Sequence, residues 1–438
     1  MDMTYFLEIL TMQEIKKKKL FTASCLALLV TALSFGIRAG MMGQLAAEFK
    51  FNASQLGSIT ATAFWGFPLA IIIGGFIVDL IGMKKLLVTA FVFHLVGIGL
   101  TVFAVGYWSL FFSTLLIGIA NGTVEASCNP LVASLYTENK TTKLNHFHLW
   151  FPGGIVIGTL LVAAFQYLGL NWQFQVGIMV LPTLLYGYLF LKLDFPKTER
   201  VSSGFSTRDM YRAVVSPLFI FMFICMFGTA ITELFTGQWI GMLLKNITEN
   251  PILLLTLTTG IMVIGRAFAG PIVKRFSPQG VLLISSVIAA TGLYMLSTFT
   301  GNSLFLAAVV FGLGVCYFWP TMIGFVAENI PRSGALGLNL IGGAGMFAVS
   351  VYTIFMGGFY DRLILNHLPS GTDLEAYINA PQGSEGWRQL AEAKNLAGPE
   401  ILQATLIIPL LLILAFSGLF LSIRSRKIRE LQQSKIPA

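Results

Sequence analysis

Apolar stretches of about 20 residues recur almost from end to end of this chain, each long enough to cross the hydrocarbon layer of a bilayer as one helix. Lipid offers no partner to backbone N–H and C=O groups, so a chain of this kind must satisfy them internally, as helices. Twelve spans are predicted: 21–46, 53–79, 84–105, 107–136, 144–169, 172–193, 214–244, 250–275, 279–299, 302–328, 333–364 and 398–424. Composition excludes the soluble alternative. Only 11% of residues are charged against 55% hydrophobic, and 37 Phe outnumber 20 Asp plus Glu. The first run is too long for a secretory signal and lacks a small-residue cleavage site, so it is expected to stay in the bilayer.

The basic residues set an expected orientation, because Lys and Arg near helix ends are retained on the cytoplasmic side. Lys16 to Lys19, Lys84, Lys85, Lys140, Lys143, the cluster Lys192 to Arg212, Lys274, Arg275, Arg332 and the basic tail all fall on one side if the N-terminus is inside. Both termini are then cytoplasmic, in a plasma membrane of the bacterial inner type. The net charge of +8 is explained by this topology and calls for no nucleic-acid partner. Cys25, Cys128, Cys225 and Cys316 lie inside predicted spans at no metal-ligand spacing and read as small apolar packing residues.

The chain also repeats. Gly75 in GFIVDLIGMKK follows helix 2 as Gly270 in GPIVKRFSPQG follows helix 8, and Gly118 in helix 4 matches Gly312 in helix 10 at nearly the same interval. The expected architecture is an all-α polytopic membrane protein of two parallel six-helix halves. Residues 1–20 form an N-terminal segment, 21–193 the first half, 194–213 a cytoplasmic linker, 214–424 the second half and 425–438 a tail. Paired halves of this kind place a solute site at their interface near the bilayer midplane.

The loop GGFIVDLIGMKK resembles the signature of the major facilitator superfamily, Gly-x-x-x-Asp-x-x-Gly-x-Lys/Arg-Lys/Arg, through Gly75, Asp79, Gly82, Lys84 and Lys85. The glycines suit close helix approach and a tight turn, and Asp79 can pair with a basic group or cap a helix. The second copy departs from the pattern, with Lys274 where the acid would stand. Within the superfamily, VEASCNPLVASL is similar to the Glu-x-x-x-Asn-Pro segment of the fucose–proton symporter family, through Glu125, Asn129 and Pro130. The run ITELFTGQWIGMLL is similar through Glu233 and Trp239. The resemblance implies proton coupling at Glu125. Ala39 falls where the fucose carriers have an acid, with Arg38 beside it, so a two-acid mechanism does not carry over.

The residues themselves carry a polar pattern. Asn121, Glu125 and Asn129 recur every fourth residue, so they share one helix face and must point into the bundle. Amides and a carboxylate exchange hydrogen bonds with sugar hydroxyls, and burial favours the proton-bearing form of a carboxylate. Glu125 and Arg38 form the candidate proton-coupling set, and the bland alternative is a structural Glu125 paired with Arg38. Helix 7 repeats the theme with Thr229, Glu233 and Thr236, and carries Gln238 and Trp239 near its outer end. Trp239 can stack on a sugar ring or anchor the interface. His148, Tyr317, Trp319 and Asn339 complete the candidate solute-binding set. Arg266 joins the loop residues Gly75, Asp79, Gly82, Lys84 and Lys85 as a candidate gate. Pro152 and its neighbouring glycines read as a hinge in helix 5. Residues 365–397 read as a solvated outer loop.

These features point to a secondary transporter moving a small polar solute, a hexose or related sugar, by alternating access with a coupling proton. It is expected to work in the bilayer as a monomer, without a cofactor or bound metal. Sodium coupling, uncoupled passage, an organic anion met by Arg38, and drug export are the alternatives within transport. A non-transporting sensor is the alternative outside it. No nucleophile–base pair, metal set or nucleotide loop marks an enzyme.

Overall fold

The structure, a computed structural model, describes residues 3–51, 53–243, 251–369 and 373–433. Among these, eleven helices are long and apolar enough to cross a membrane by length and composition, and a shorter apolar helix covers Leu254–Ala267. The protein is a multi-pass integral membrane protein built of helices. Its large exposed side chains, among them Leu69, Ile73, Leu80, Leu160, Leu411 and Leu414, are those expected of a lipid-facing surface.

Two compact units emerge. The first comprises Met1–Phe223 with Met322–Phe347, and the second Ile224–Thr321 with Ala348–Ala438. In the first lie α1 (Met3–Phe49), α2 (Ala53–Ile81), α3 (Met83–Val102), α4 (Tyr107–Leu135), α5 (Lys140–His148), α6 (Trp150–Tyr167), α7 (Trp172–Gly177) and α8 (Val180–Lys192). Helix α4 packs on α2 and α3, and α1 on α6. Short helices α9 (Glu199–Ser203) and α10 (Thr207–Val214) then lead into α11 (Pro217–Ala230). The segment expected as a plain linker is therefore partly helical. Its Ser206 hydroxyl caps α10 and donates to Asp209, which holds that carboxyl below its ordinary value.

A π-helical turn, Ile231–Phe235, separates α11 from α12 (Thr236–Leu243). There follow α13 (Pro251–Ala267), α14 (Ala269–Thr298), α15 (Ser303–Val315), α16 (Phe318–Asn329), α17 (Gly334–Asn366), α18 (Leu374–Ile378) and α19 (Glu385–Gln433). In the second unit α14 packs on α15 and α19, and α13 on α15.

The break at Ser277, which adopts φ 60° ahead of Pro278, falls between the expected spans 250–275 and 279–299, and helix 8 carries a local irregularity at Phe268 between α13 and α14. The outer segment 365–397 is not simply a loop: α18 lies within it, and α19 starts at Glu385. Helix 5 passes from α5 to α6 at Leu149, whose backbone stays right-handed helical. The Pro152 ring has no N–H for the carbonyl of His148, and the ladder resumes with Gly153 donating to Leu149.

Candidate functional site

Helix α4 carries a buried polar cluster of the first unit. Asn129 Nδ2 donates to Glu125 Oε2 at 2.6 Å, one turn back on the same face. His148 enters from the end of α5, its Nε2 2.9 Å from Asn129 Oδ1 and its Nδ1 3.8 Å from Glu125 Oε1. An amide oxygen can only accept, so Nε2 carries the hydrogen and Nδ1 is the nitrogen turned to the carboxylate. All three side chains are buried. The cluster is a carboxylate and an imidazole 3.8 Å apart, joined by an amide that hydrogen-bonds to both.

Asn121 faces the same way yet belongs to a different chain of bonds. His94 of α3 donates from Nε2 to Asn121 Oδ1 at 2.8 Å, and Asn121 Nδ2 donates to Ser34 Oγ at 3.0 Å. His94 Nδ1 lies 2.7 Å from the Tyr186 hydroxyl, which serves as donor. Both ends of the Asn121 amide are thus bonded to protein. The chain ties α1, α3, α4 and α8 together and is satisfied with His94 neutral. His94 was missed by sequence reasoning, although a histidine inside the apolar run 84–105 was the signal.

Arg38 is not the partner of Glu125. Its guanidinium lies over the rings of Phe35 and Phe64, 5.0 and 5.9 Å from their centroids, and no ion pair with a described carboxylate compensates it. The side chain is 7% exposed. Cation–π contacts contribute up to about 2 kcal/mol each, less than the several kcal/mol it costs to take a charge out of water.

Two prolines explain the polar partners on helices 4 and 10. Pro130 has no N–H for the carbonyl of Ala126, and Asn339 Nδ2 of α17 donates to that oxygen at 2.9 Å. Pro320 likewise frees the carbonyl of Cys316, and Arg266 Nε donates to it at 2.6 Å. Asn339 is thereby tied to the backbone of α4, whereas the sequence counted it among solute contacts. Asn339→Leu keeps the volume and removes the donor, so it is expected to cost about 1–3 kcal/mol in denaturant unfolding of the purified protein. A loss below about 0.5 kcal/mol would mean that the Ala126 carbonyl finds another partner.

In the second unit Arg266 is turned inward, whereas the sequence placed it at a gate. It is 1% exposed, and its Nη2 donates to Glu233 Oε1 at 2.7 Å. Glu233 sits in the π-helical turn, a local irregularity common at functional sites. Its Oε2 accepts from the backbone N–H of Trp319 at 3.2 Å. Tyr317 donates its hydroxyl to the carbonyl of Gly265 at 2.5 Å. Trp239 packs on Phe235 and Tyr360. The side chain of Gln238 lies outside the described residues.

The signature loop has a physical account in the first unit. A Cβ on Gly75 would lie 2.7 Å from the Cβ of Asn339, and Gly82 takes φ 87°, where a side chain is strained. Asp79 accepts from Arg200 Nε at 2.6 Å and from the Thr198 hydroxyl at 2.5 Å. Lys84 Nζ caps the end of α8 through the carbonyls of Leu191 and Leu193. Lys85 is exposed. Beside this lock Lys140 donates to Glu199 at 2.7 Å and to the carbonyl of Ala327, and Glu328 accepts from the backbone N–H of Thr141. Thr198, Glu199, Arg200 and Lys140 were read only as charged loop; the unpaired acid of the motif was the hint that the linker must supply a cation.

This lock, the broken helices and the buried acids occur in a chain whose residues 24–351 match the sequence profile of the Major Facilitator Superfamily. The protein belongs to that superfamily. It is similar to the facilitated glucose transporter member 10 of Danio rerio, 25% identical over 169 residues, 37% of this chain and 32% of the relative. It is also similar to a D-xylose transporter of Levilactobacillus brevis, 26% identical over 173 residues, 39% of this chain and 37% of the relative. These matches span only about a third of either relative. Among solved structures it resembles the E. coli fucose:proton symporter FucP, with TM-score 0.66 and 15% identity, covering 90% of this chain and 98% of that one. That likeness shows the fold. The superfamily and these relatives are carriers, not enzymes.

Proposed function

We propose that this superfamily member is a secondary transporter for a small polar solute, a hexose or related sugar, working by alternating access with proton symport. The observation that carries the reading is the buried cluster of Glu125, Asn129 and His148. With Glu125 ionised, the Asn129 amide is held by a charge-assisted bond. A proton arriving on the Glu125–His148 pair removes the charge, weakens that bond and releases the amide to a sugar hydroxyl. Proton and solute then favour each other's binding, as symport requires. Names of relatives that carry glucose and xylose support the sugar class.

Glu233, Gln238, Trp239, Tyr317 and Trp319 are the further solute contacts of this reading, and the Asp79–Arg200 lock is its gate. The bias of the basic residues supports cytoplasmic termini in a plasma membrane of the bacterial inner type. Uptake of labelled hexoses into liposomes, with and without an inward proton gradient at constant sodium, tests the proposal. At least one hexose is expected to enter faster with the gradient. Uptake indifferent to the gradient overturns proton coupling, and no uptake of any hexose overturns the sugar.

A further inference from the structure

Arg38, a buried cation of the first unit, has no role in that scheme. Arg38 lines a cavity of about 20 Å³, room for about one water-sized body. Ser34 and Arg38 of α1 face Thr101 of α3 and Thr114 of α4 across it, and Met, Ile and Val side chains close the walls. The hydroxyls of Ser34 and Thr101 are already spent on the carbonyls of Thr31 and Gly97. The guanidinium makes no hydrogen bond to a described residue, although it carries five N–H donors. Fixed positive charge, donors with no described hydrogen-bond partner and a one-body cavity therefore coincide among the apolar side chains of Ile37, Met41, Ile117, Val176 and Met179.

We propose that the Arg38 cavity binds one small monovalent anion, held by the guanidinium with Thr114 beside it. Two sources supply that chemistry: a free halide-sized ion, or the carboxylate end of a larger solute whose body lies outside the cavity. A tetrahedral oxyanion such as sulfate is too large. The reading does not depend on sugar transport, since its test requires no flux.

The experiment is thermal unfolding of the purified full-length protein in detergent, titrated with sodium chloride, bromide, formate or acetate against sodium methanesulfonate at constant ionic strength. A parallel series uses sugar acids. A ligand that binds only the folded state raises the midpoint in a saturable way. Saturable stabilisation by halides or formate, with half-saturation raised about tenfold or more in Arg38→Gln, supports a free-ion site. Silence toward halides with saturable stabilisation by a sugar acid, lost in Arg38→Gln, supports the same site filled by a solute carboxylate. The Arg38→Lys variant keeps the charge and is expected to retain part of either response. The wild-type titration stands by itself if a variant fails to fold. No response of the wild type to any of these anions, or an equal response in Arg38→Gln, overturns the proposal.

Discussion

Arg266→Met is expected to destabilise the purified protein by about 3–5 kcal/mol in denaturant unfolding, because it breaks a buried ion pair from one side. Arg266 does two things at once. It compensates Glu233, and it donates to the Cys316 carbonyl that Pro320 has orphaned. Removing it leaves a carboxylate in an apolar interior with only the Trp319 N–H among its described partners, and a backbone oxygen without a donor. Glu233→Gln with Arg266→Met removes the stranded charge, so the double variant is expected to recover most of the loss. The coupling between the two sites is then the measured quantity, and contacting residues of this kind commonly couple by about 0.5–3 kcal/mol. Additive effects, or an Arg266→Met loss below about 1 kcal/mol, would show that the pair is solvated when the protein unfolds locally.

What the sequence could and could not reveal divides along a physical line. Periodicity identifies a helix and the face it shows to its neighbours, so the apolar runs and the stripe Asn121, Glu125, Asn129 were legible. It does not identify the neighbour. Asn121 turned to His94 while Asn129 turned to Glu125 and His148, and nothing in a spacing of four separates those outcomes. The proline rule comes closer: a proline inside a bilayer helix demands a donor for the carbonyl four residues back. Pro130 and Pro320 announced that demand, but Asn339 and Arg266 are far along the chain from the oxygens they serve. Arg38 shows the converse error. An arginine and a glutamate in neighbouring predicted helices invited a pair, whereas the structure surrounds Arg38 with aromatic rings and a cavity.

Glu125→Gln is expected to abolish proton-driven accumulation of solute while sparing its exchange across the membrane. Gln has the shape of the protonated acid, and its side-chain oxygen can still accept from Asn129, as Glu125 does at 2.6 Å. The variant is therefore frozen in the proton-bearing state, which the coupling argument assigns to solute binding. In the wild type, rising pH removes the proton, restores the charge-assisted hold on Asn129 and weakens solute affinity. In Glu125→Gln affinity is expected to stay at the wild-type low-pH value across the range. Liposomes preloaded with solute measure exchange; an inward proton gradient measures accumulation. Retained exchange with accumulation reduced about tenfold or more, together with a flat pH profile of affinity, is the expected set. A variant that accumulates solute as the wild type does would remove Glu125 from coupling. His148→Gln distinguishes the members of the pair: it keeps an N–H for Asn129 Oδ1 but has no group that titrates. If the imidazole shares the coupling proton, the pH profile of His148→Gln moves while accumulation persists through Glu125. If His148 only positions Asn129, its profile overlays that of the wild type.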